Sequence, residues 1–260
     1  MSWADKWNTS IKMTSRERLN SGPFWDGRAD RDRSCPFSRK LTDDQMAAIA
    51  PLPHHRLLEI GPGNGRLAIS MARASSSVTL VDPSPVMLQA LDERAKAEGV
   101  GNLTAINDYW ERVDLEAIGT FDKAVSSYSL FMMDIGPQLR RMSSVADEVF
   151  LFVPAEIRIP FDVQRMMFGD VVVEHTDHEI LTNIAEDLGL EPVVWTMEYP
   201  GRPGFDSIDE AVEHYLDLYG VPESGKGPIA DHIASTLRQR GGTFAMSDEM
   251  KVGAIWWQSI

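Results

Sequence analysis

The sequence predicts an α/β protein with one mostly parallel sheet and helices on both faces. Three observations carry that reading. Five short apolar runs between residues 56 and 153 alternate with segments of helical period, the rhythm of βαβ units. The first run stops at a glycine-rich loop that opens a helix. Two late runs, 192–199 and 251–257, have strand character and bring the strand count to seven.

Each element has its own signal. Residues 1–40 are polar but carry Trp3, Trp7, Phe24 and Trp25, and so many aromatics predict docking on a core rather than disorder. Thr42-Asp43-Asp44 predicts a helix start, with Thr as N-cap and acids in the first turn. Residues 56–60 read as the first strand and 67–74 as a helix. Residues 77–81 are a second strand ended by Asp82-Pro83-Ser84-Pro85, followed by a helix over 86–98 stopped by Gly99 and Gly101. Strands follow at 103–106, 121–126 and 148–153, the last closed by Pro154. Residues 161–176 read as loop or short helices, and 180–188 as a helix. Roughly fifty residues separate the two late strands, with helical patterns at 208–218 and 229–240. They predict an insertion in an antiparallel last hairpin, forming a helical cap. The expected division is an N-terminal docking or lid segment (1–50), a core (51–200 and 246–260) and a cap (201–245).

Composition excludes several classes. A net charge of -14 argues against a nucleic-acid partner, which needs a basic stripe. The one basic cluster, Arg28, Arg31, Arg33, Arg39 and Lys40, is interleaved with Asp26, Asp30 and Asp32 and reads as a solvated segment. The single cysteine, Cys35, excludes an intrachain disulfide and a Cys-rich zinc site. No apolar stretch reaches the roughly 18 residues of a membrane span, and Met1 to Trp7 lack a signal-peptide core. A cytoplasmic location without a membrane partner is expected.

The glycine loop carries the chemistry. Glu59-Ile60-Gly61-Pro62-Gly63-Asn64-Gly65 puts backbone amides at a helix N-terminus, where a ligand can approach closely. Asp82 follows about twenty residues later at the end of the second strand, where a carboxylate can take both ribose hydroxyls of an adenosine-type ligand. The third small residue of a dinucleotide loop is replaced by Arg66, and the third glycine comes one position early. Glu59 suits the cationic amino group of a methionine moiety and repels a pyrophosphate. The balance favours S-adenosylmethionine over NAD.

These residues resemble the class I S-adenosylmethionine-dependent methyltransferases. Residues 58–65 are similar to the first motif of that superfamily and Val81-Asp82-Pro83-Ser84-Pro85-Val86-Met87-Leu88 to the second. Asn107-Asp108-Tyr109-Trp110 resembles the third and 121–129 the fourth. The resemblance covers about 100 residues and implies a Rossmann-like seven-stranded sheet. It implies cofactor contacts at Glu59, Gly61, Pro62, Gly63, Asn64, Gly65, Asp82, Pro83, Ser84, Met87, Asn107, Asp108, Tyr109, Trp110 and Ser126. Phe24-Trp25-Asp26-Gly27-Arg28-Ala29 resembles the segment preceding the core in small-molecule members. The Asn-Pro-Pro-Tyr signature of amino-group methylation on bases and glutamine is absent, with Ser126-Ser127-Tyr128 in its place.

In-line methyl transfer needs alignment more than acid–base groups, and a base only when the acceptor carries a proton. The candidates are Tyr128, Glu156 and His175. Trp25, Tyr128, Met132, His178 and His214 are candidates to line the acceptor pocket. Each has a plainer reading: Met132 and the tryptophans 195, 256 and 257 as core, and the run 174–179 as a helix start with acids favoured by the dipole. No metal is expected. The leading expectation is an enzyme methylating a small molecule at O, N or S, against a non-catalytic S-adenosylmethionine sensor or an NAD-dependent oxidoreductase.

Overall fold

The computed structural model describes residues 1–14, 16–26, 36–157, 159–170, 172–200, 204–247 and 249–259. The chain begins with α1 (Trp3–Met13), a 3-10 turn (Arg16–Leu19), α2 (Gly22–Asp26) and α3 (Pro36–Ile49). Next come β1 (Arg56–Ile60), α4 (Ala68–Ala74), β2 (Ser77–Val81), α5 (Pro85–Ala97) and β3 (Leu103–Ile106). After α6 (Leu115–Ile118) follow β4 (Phe121–Ser127), α7 (Ile135–Val145), β5 (Ala146–Pro154), α8 (Phe161–Phe168) and α9 (Asp177–Asp187). The chain continues through β6 (Val193–Pro200), α10 (Ile208–Tyr219), α11 (Lys226–Thr236), β7 (Arg238–Arg240), β8 (Thr243–Ala245) and β9 (Glu249–Gln258).

Seven strands form one sheet in the order β3-β2-β1-β4-β5-β9-β6. Neighbours from β3 to β5 pair parallel, and β9 lies antiparallel between β5 and β6. The expected Rossmann-like, mostly parallel sheet with an antiparallel last pair is the observed one. Side chains alternate across the sheet. One face packs Leu58, Ile60, Leu151, Ile255 and Trp257 under α1, α7 and α9 through Trp7, Ile11, Leu139 and Ile180. The other packs Leu57, Val125, Phe150 and Phe152 under α3, α4 and α5 through Leu41, Met71 and Leu91.

Two local expectations need correction. The helix expected to open at Thr42 begins at Pro36. Thr42 sits inside it because its hydroxyl back-bonds to the Ser38 carbonyl at 2.8 Å. The 229–240 helical pattern ends at Thr236, and Arg238–Arg240 turns into a hairpin strand paired with Thr243–Ala245. The run 174–179 holds the helix start expected there: Thr176 is the N-cap of α9, closing a capping box with Glu179, and His175 precedes it.

The insertion between β6 and β9 forms a satellite core with α8: Ile159 and Val163 pack against Tyr219, Val221, Ile229 and Ile233. Arg28, Arg31, Arg33, Cys35 and residues 201–203 lie outside the described residues. Among those described, no helix is long and apolar enough to cross a membrane.

Candidate cofactor site

The strand order reverses between β1 and β4, and an open α/β sheet holds its ligand beyond the carboxyl ends at such a point. The ends of β3, β2, β1 and β4 are neighbours, roughly 5 Å apart per strand, so residues on their loops span the length of an extended nucleoside with a side arm. At the β1 end, Gly61, Gly63 and Gly65 have φ of 69°, 55° and 88°. A Cβ at Gly61 would overlap the Ser129 side chain, so the loop closes against the β4 end only as glycine. Ser129 donates to the Ile60 carbonyl and lies 2.7 Å from Ser126 Oγ, tying the β1 and β4 ends together.

Asp82 stands 5% exposed at the end of β2. Its Oδ2 accepts from the Gly63 amide at 3.1 Å and its Oδ1 from the Ser84 amide at 2.9 Å. Burial raises its carboxyl above the ordinary range against these two bonds. Ser84 caps α5 by accepting from the Met87 amide at 3.0 Å, and Met87 is buried beneath the loop. Asn107 donates to the Asp82 carbonyl at 3.0 Å, and Asp108 accepts from the Tyr109 amide at 2.8 Å. Tyr109 carries the Arg112 guanidinium 4.6 Å above its ring.

Glu59 is the exceptional group. It lies on the central strand, in register with Leu80 and Val125, and is 2% exposed. Its Oε2 is buried without a hydrogen-bond partner. Burial pushes its carboxyl up to about 8, with Asp82 adding to the rise and Arg66 opposing it. A buried carboxylate oxygen with no donor is costly, and a ligand ammonium supplies what it lacks. The arrangement therefore fits S-adenosylmethionine: Glu59 can accept from its amino group and Asp82 from its ribose, with glycine amides between. Arg66, at the position that argues against a dinucleotide, reaches away to Thr42, Gln45 and Ser127 at 2.9, 2.7 and 2.9 Å.

Comparison with known proteins agrees. A methyltransferase-domain family model matches residues 57–148. A ubiquinone/menaquinone biosynthesis C-methyltransferase of Zymomonas mobilis is 28% identical over 92 residues, 35% of this chain and 36% of that protein. The match thus takes in about a third of that relative's length. Solved structures share the fold across nearly the whole chain. The N-methyltransferase NodS of Bradyrhizobium japonicum, in complex with S-adenosyl-L-homocysteine, is 12% identical with a TM-score of 0.57, covering 92% of this chain and 98% of NodS. The magnesium protoporphyrin IX methyltransferase of Synechocystis is 16% identical with a TM-score of 0.54, covering 94% and 99%. Residues 57–148 carry a methyltransferase domain.

Around the methyltransferase domain, the structure brings some expected acceptor-side residues together and separates others. Tyr128 follows β4 with φ 59°, a strained conformation for a tyrosine, and its amide donates to the Phe152 carbonyl at 2.9 Å. Its ring packs on the α3 side of the sheet, in the cluster that holds Tyr199. Glu156 and His175 line one small cleft on the opposite side with Ser10, Thr14, Ile159 and Asp177. Glu156 accepts from the Lys251 amide at 2.9 Å, and burial raises its carboxyl. His175 Nε2 lies 2.9 Å from Lys6 Nζ, with Trp3 edge-on at 4.9 Å.

The His178 ring lies against Gly253 of β9, where any Cβ would overlap it. Its Nε2 is buried without a hydrogen bond, and burial lowers its pKa. His214 sits within the insertion, 4.7 Å from Phe205. Met132 is 2% exposed, with its carbonyl accepting from Trp7 at 2.9 Å, and Trp110 is 2% exposed and donates to the Gln138 carbonyl at 3.4 Å. Both pack in the core rather than line an open crevice.

The N-terminal segment, expected to dock on the core or act as a lid, runs in its described residues as a strap along the carboxyl ends of the strands. Arg18 pairs with Asp217 of α10 at 3.2 Å and Asn20 donates to Glu111 after β3 at 2.9 Å. Gly22 presses on the Pro83 carbonyl. Trp25 stacks on Phe131 after β4 with ring centroids 6.0 Å apart. Arg16 anchors the strap from behind through a buried ion pair in which Nη1 donates to both Asp177 oxygens, at 2.8 and 2.6 Å. Arg16 and Asp26 were missed as site residues, since nothing local distinguishes them from other surface charges.

Proposed function

We propose that this protein transfers a methyl group from S-adenosylmethionine to a small-molecule acceptor at O, N or S, in a crevice roofed by the N-terminal segment and the 201–245 insertion. The observation that carries the cofactor half is the buried, unbonded Glu59 oxygen one strand from Asp82. The strap contacts on both flanks of the glycine loop support the roof, and an acidic chain supports a small acceptor over a nucleic acid. Bound in this site, the cofactor supplies an electrophilic methyl carbon on a good leaving group.

The protein's share is then alignment and exclusion of water. Glu59 and Asp82 hold the two ends of the ligand, and Gly61 lets the backbone approach it. Trp25 and Phe131 wall the β4 side. Where the acceptor carries a proton, Glu156 is the best-placed base, because burial brings its carboxyl nearer neutrality. His175 shares its cleft and orients the acceptor with it. Tyr128 on the α3 side of the sheet, His178 against β9 and His214 within the insertion stand apart from it.

A thermal-shift series tests the cofactor: S-adenosylmethionine and S-adenosylhomocysteine should raise Tm by mass action while NAD and NADP do not. Transfer of label from methyl-labelled S-adenosylmethionine into a small-metabolite extract, and not into protein or nucleic acid, tests the acceptor class. Tight binding without label transfer would instead mark a sensor.

A further inference from the structure

The strap delivers one residue into the site that the motifs do not contain. Asp26, at the end of α2, accepts a hydrogen bond from Ser84 Oγ at 2.6 Å. Ser84 also donates its amide to Asp82 at 2.9 Å. Two carboxylates, one from the strap and one from β2, therefore converge on a single residue at the mouth of the crevice. They are close enough for the charge of Asp26 to disfavour ionisation of Asp82. Like charges so placed repel, and a tight fold keeps them together only where donors come between or a helix N-terminus compensates. α5 supplies part of that compensation. A second observation points to a ligand: Glu59 Oε2, 2% exposed and unpartnered, opens on the same crevice and feels Asp82.

We propose that Asp26 is a second ribose-binding carboxylate: the strap carries it over the cofactor, where it accepts from a ribose hydroxyl alongside Asp82. The inference rests on the reading of the crevice as an S-adenosylmethionine site. The ribose diol offers two O–H donors, which is what two adjacent carboxylates lack. Bound ligand then ties the strap to the sheet, so cofactor and roof close together. The contact of Gly22 with Pro83 sets the height of α2 and hence the reach of Asp26.

The test is calorimetric titration of S-adenosylhomocysteine, and of its 2′-deoxy and 3′-deoxy analogues, into wild type, Asp26→Asn and Asn20→Ala. Asp26→Asn should weaken S-adenosylhomocysteine roughly tenfold to hundredfold, as for loss of a hydrogen bond to a charged group. That penalty should largely vanish for one of the two deoxy analogues. Asn20→Ala loosens the strap at Glu111 without touching Asp26, so any loss there should be the same for all three ligands. If Asp26 merely burdens Asp82, removing its charge will leave affinity unchanged or raise it, and the proposal is overturned. An equal loss for all three ligands would also overturn it and make Asp26 a docking anchor. Failure of wild type to bind S-adenosylhomocysteine at all would instead sink the cofactor reading.

Discussion

Glu59→Gln should stabilise the free protein at alkaline pH while weakening its hold on the cofactor. Burial holds the Glu59 carboxyl at about 8, against an ordinary 4.5. The native state therefore binds this proton more tightly than the unfolded chain does. The stability it contributes is fully present below about pH 4.5 and is lost as pH rises through about 8. Ionising the group in place costs on the order of 5 kcal/mol. The amide escapes that cost but leaves a buried polar group unsatisfied, at about 1–3 kcal/mol. The net gain for the free protein at pH 9 is then about 2–4 kcal/mol, or roughly 5–10 °C in Tm for a chain of this size.

At pH 5 the glutamate is neutral and the variant gains nothing. Differential scanning calorimetry at pH 5 and pH 9, with and without S-adenosylhomocysteine, reads all of this. The ligand should raise Tm in wild type and do little in the variant. Binding to wild type at pH 7 should also release close to one proton, seen as a dependence of the binding heat on buffer ionisation. Equal Tm for both proteins at pH 9 would refute the reasoning, because it would mean that Glu59 already has a partner or reaches solvent.

Two further outcomes follow from the geometry. Asp82→Ala should weaken S-adenosylhomocysteine by about 2–4 kcal/mol and Asp108→Ala by about 1–2 kcal/mol, since a charge-assisted pair of contacts is lost in one case and a single contact in the other. Unchanged affinity in both would place the site elsewhere. Arg16→Met removes the buried guanidinium that Asp177 holds at 2.6 Å and should cost about 3–5 kcal/mol in urea unfolding. The double variant Arg16→Met/Asp177→Leu should recover most of that, and no recovery would mean that the pair is not an isolated charge problem.

The βαβ core was legible because its signals are local. Each strand of the core is a short apolar run, three of them closed at Gly61, Asp82 and Pro154, and the glycine loop between β1 and α4 needs backbone angles that only its own residues determine. The spacing from Glu59 to Asp82 follows from one helix and one strand, so the two carboxylates were assigned from the sequence alone. Helix limits were less legible. The hydroxyl of Thr42 satisfies its bond within α3 as readily as at a cap, and the Arg238–Arg240 strand is too short to break a helical pattern.

What the sequence by itself determined is the mostly parallel sheet, its antiparallel last pair and the chemistry of the cofactor end. These depend on residues near one another in the chain. The tertiary structure alone decided the rest. It took Trp110 and Met132 into the core, set Gly253 beneath the His178 ring, and turned Tyr128 toward α3. It also brought Asp26 to Ser84 and Arg16 to Asp177, across 58 and 161 residues. Such contacts join surfaces whose burial is shared between distant segments, and neither segment alone carries a pattern that names its partner.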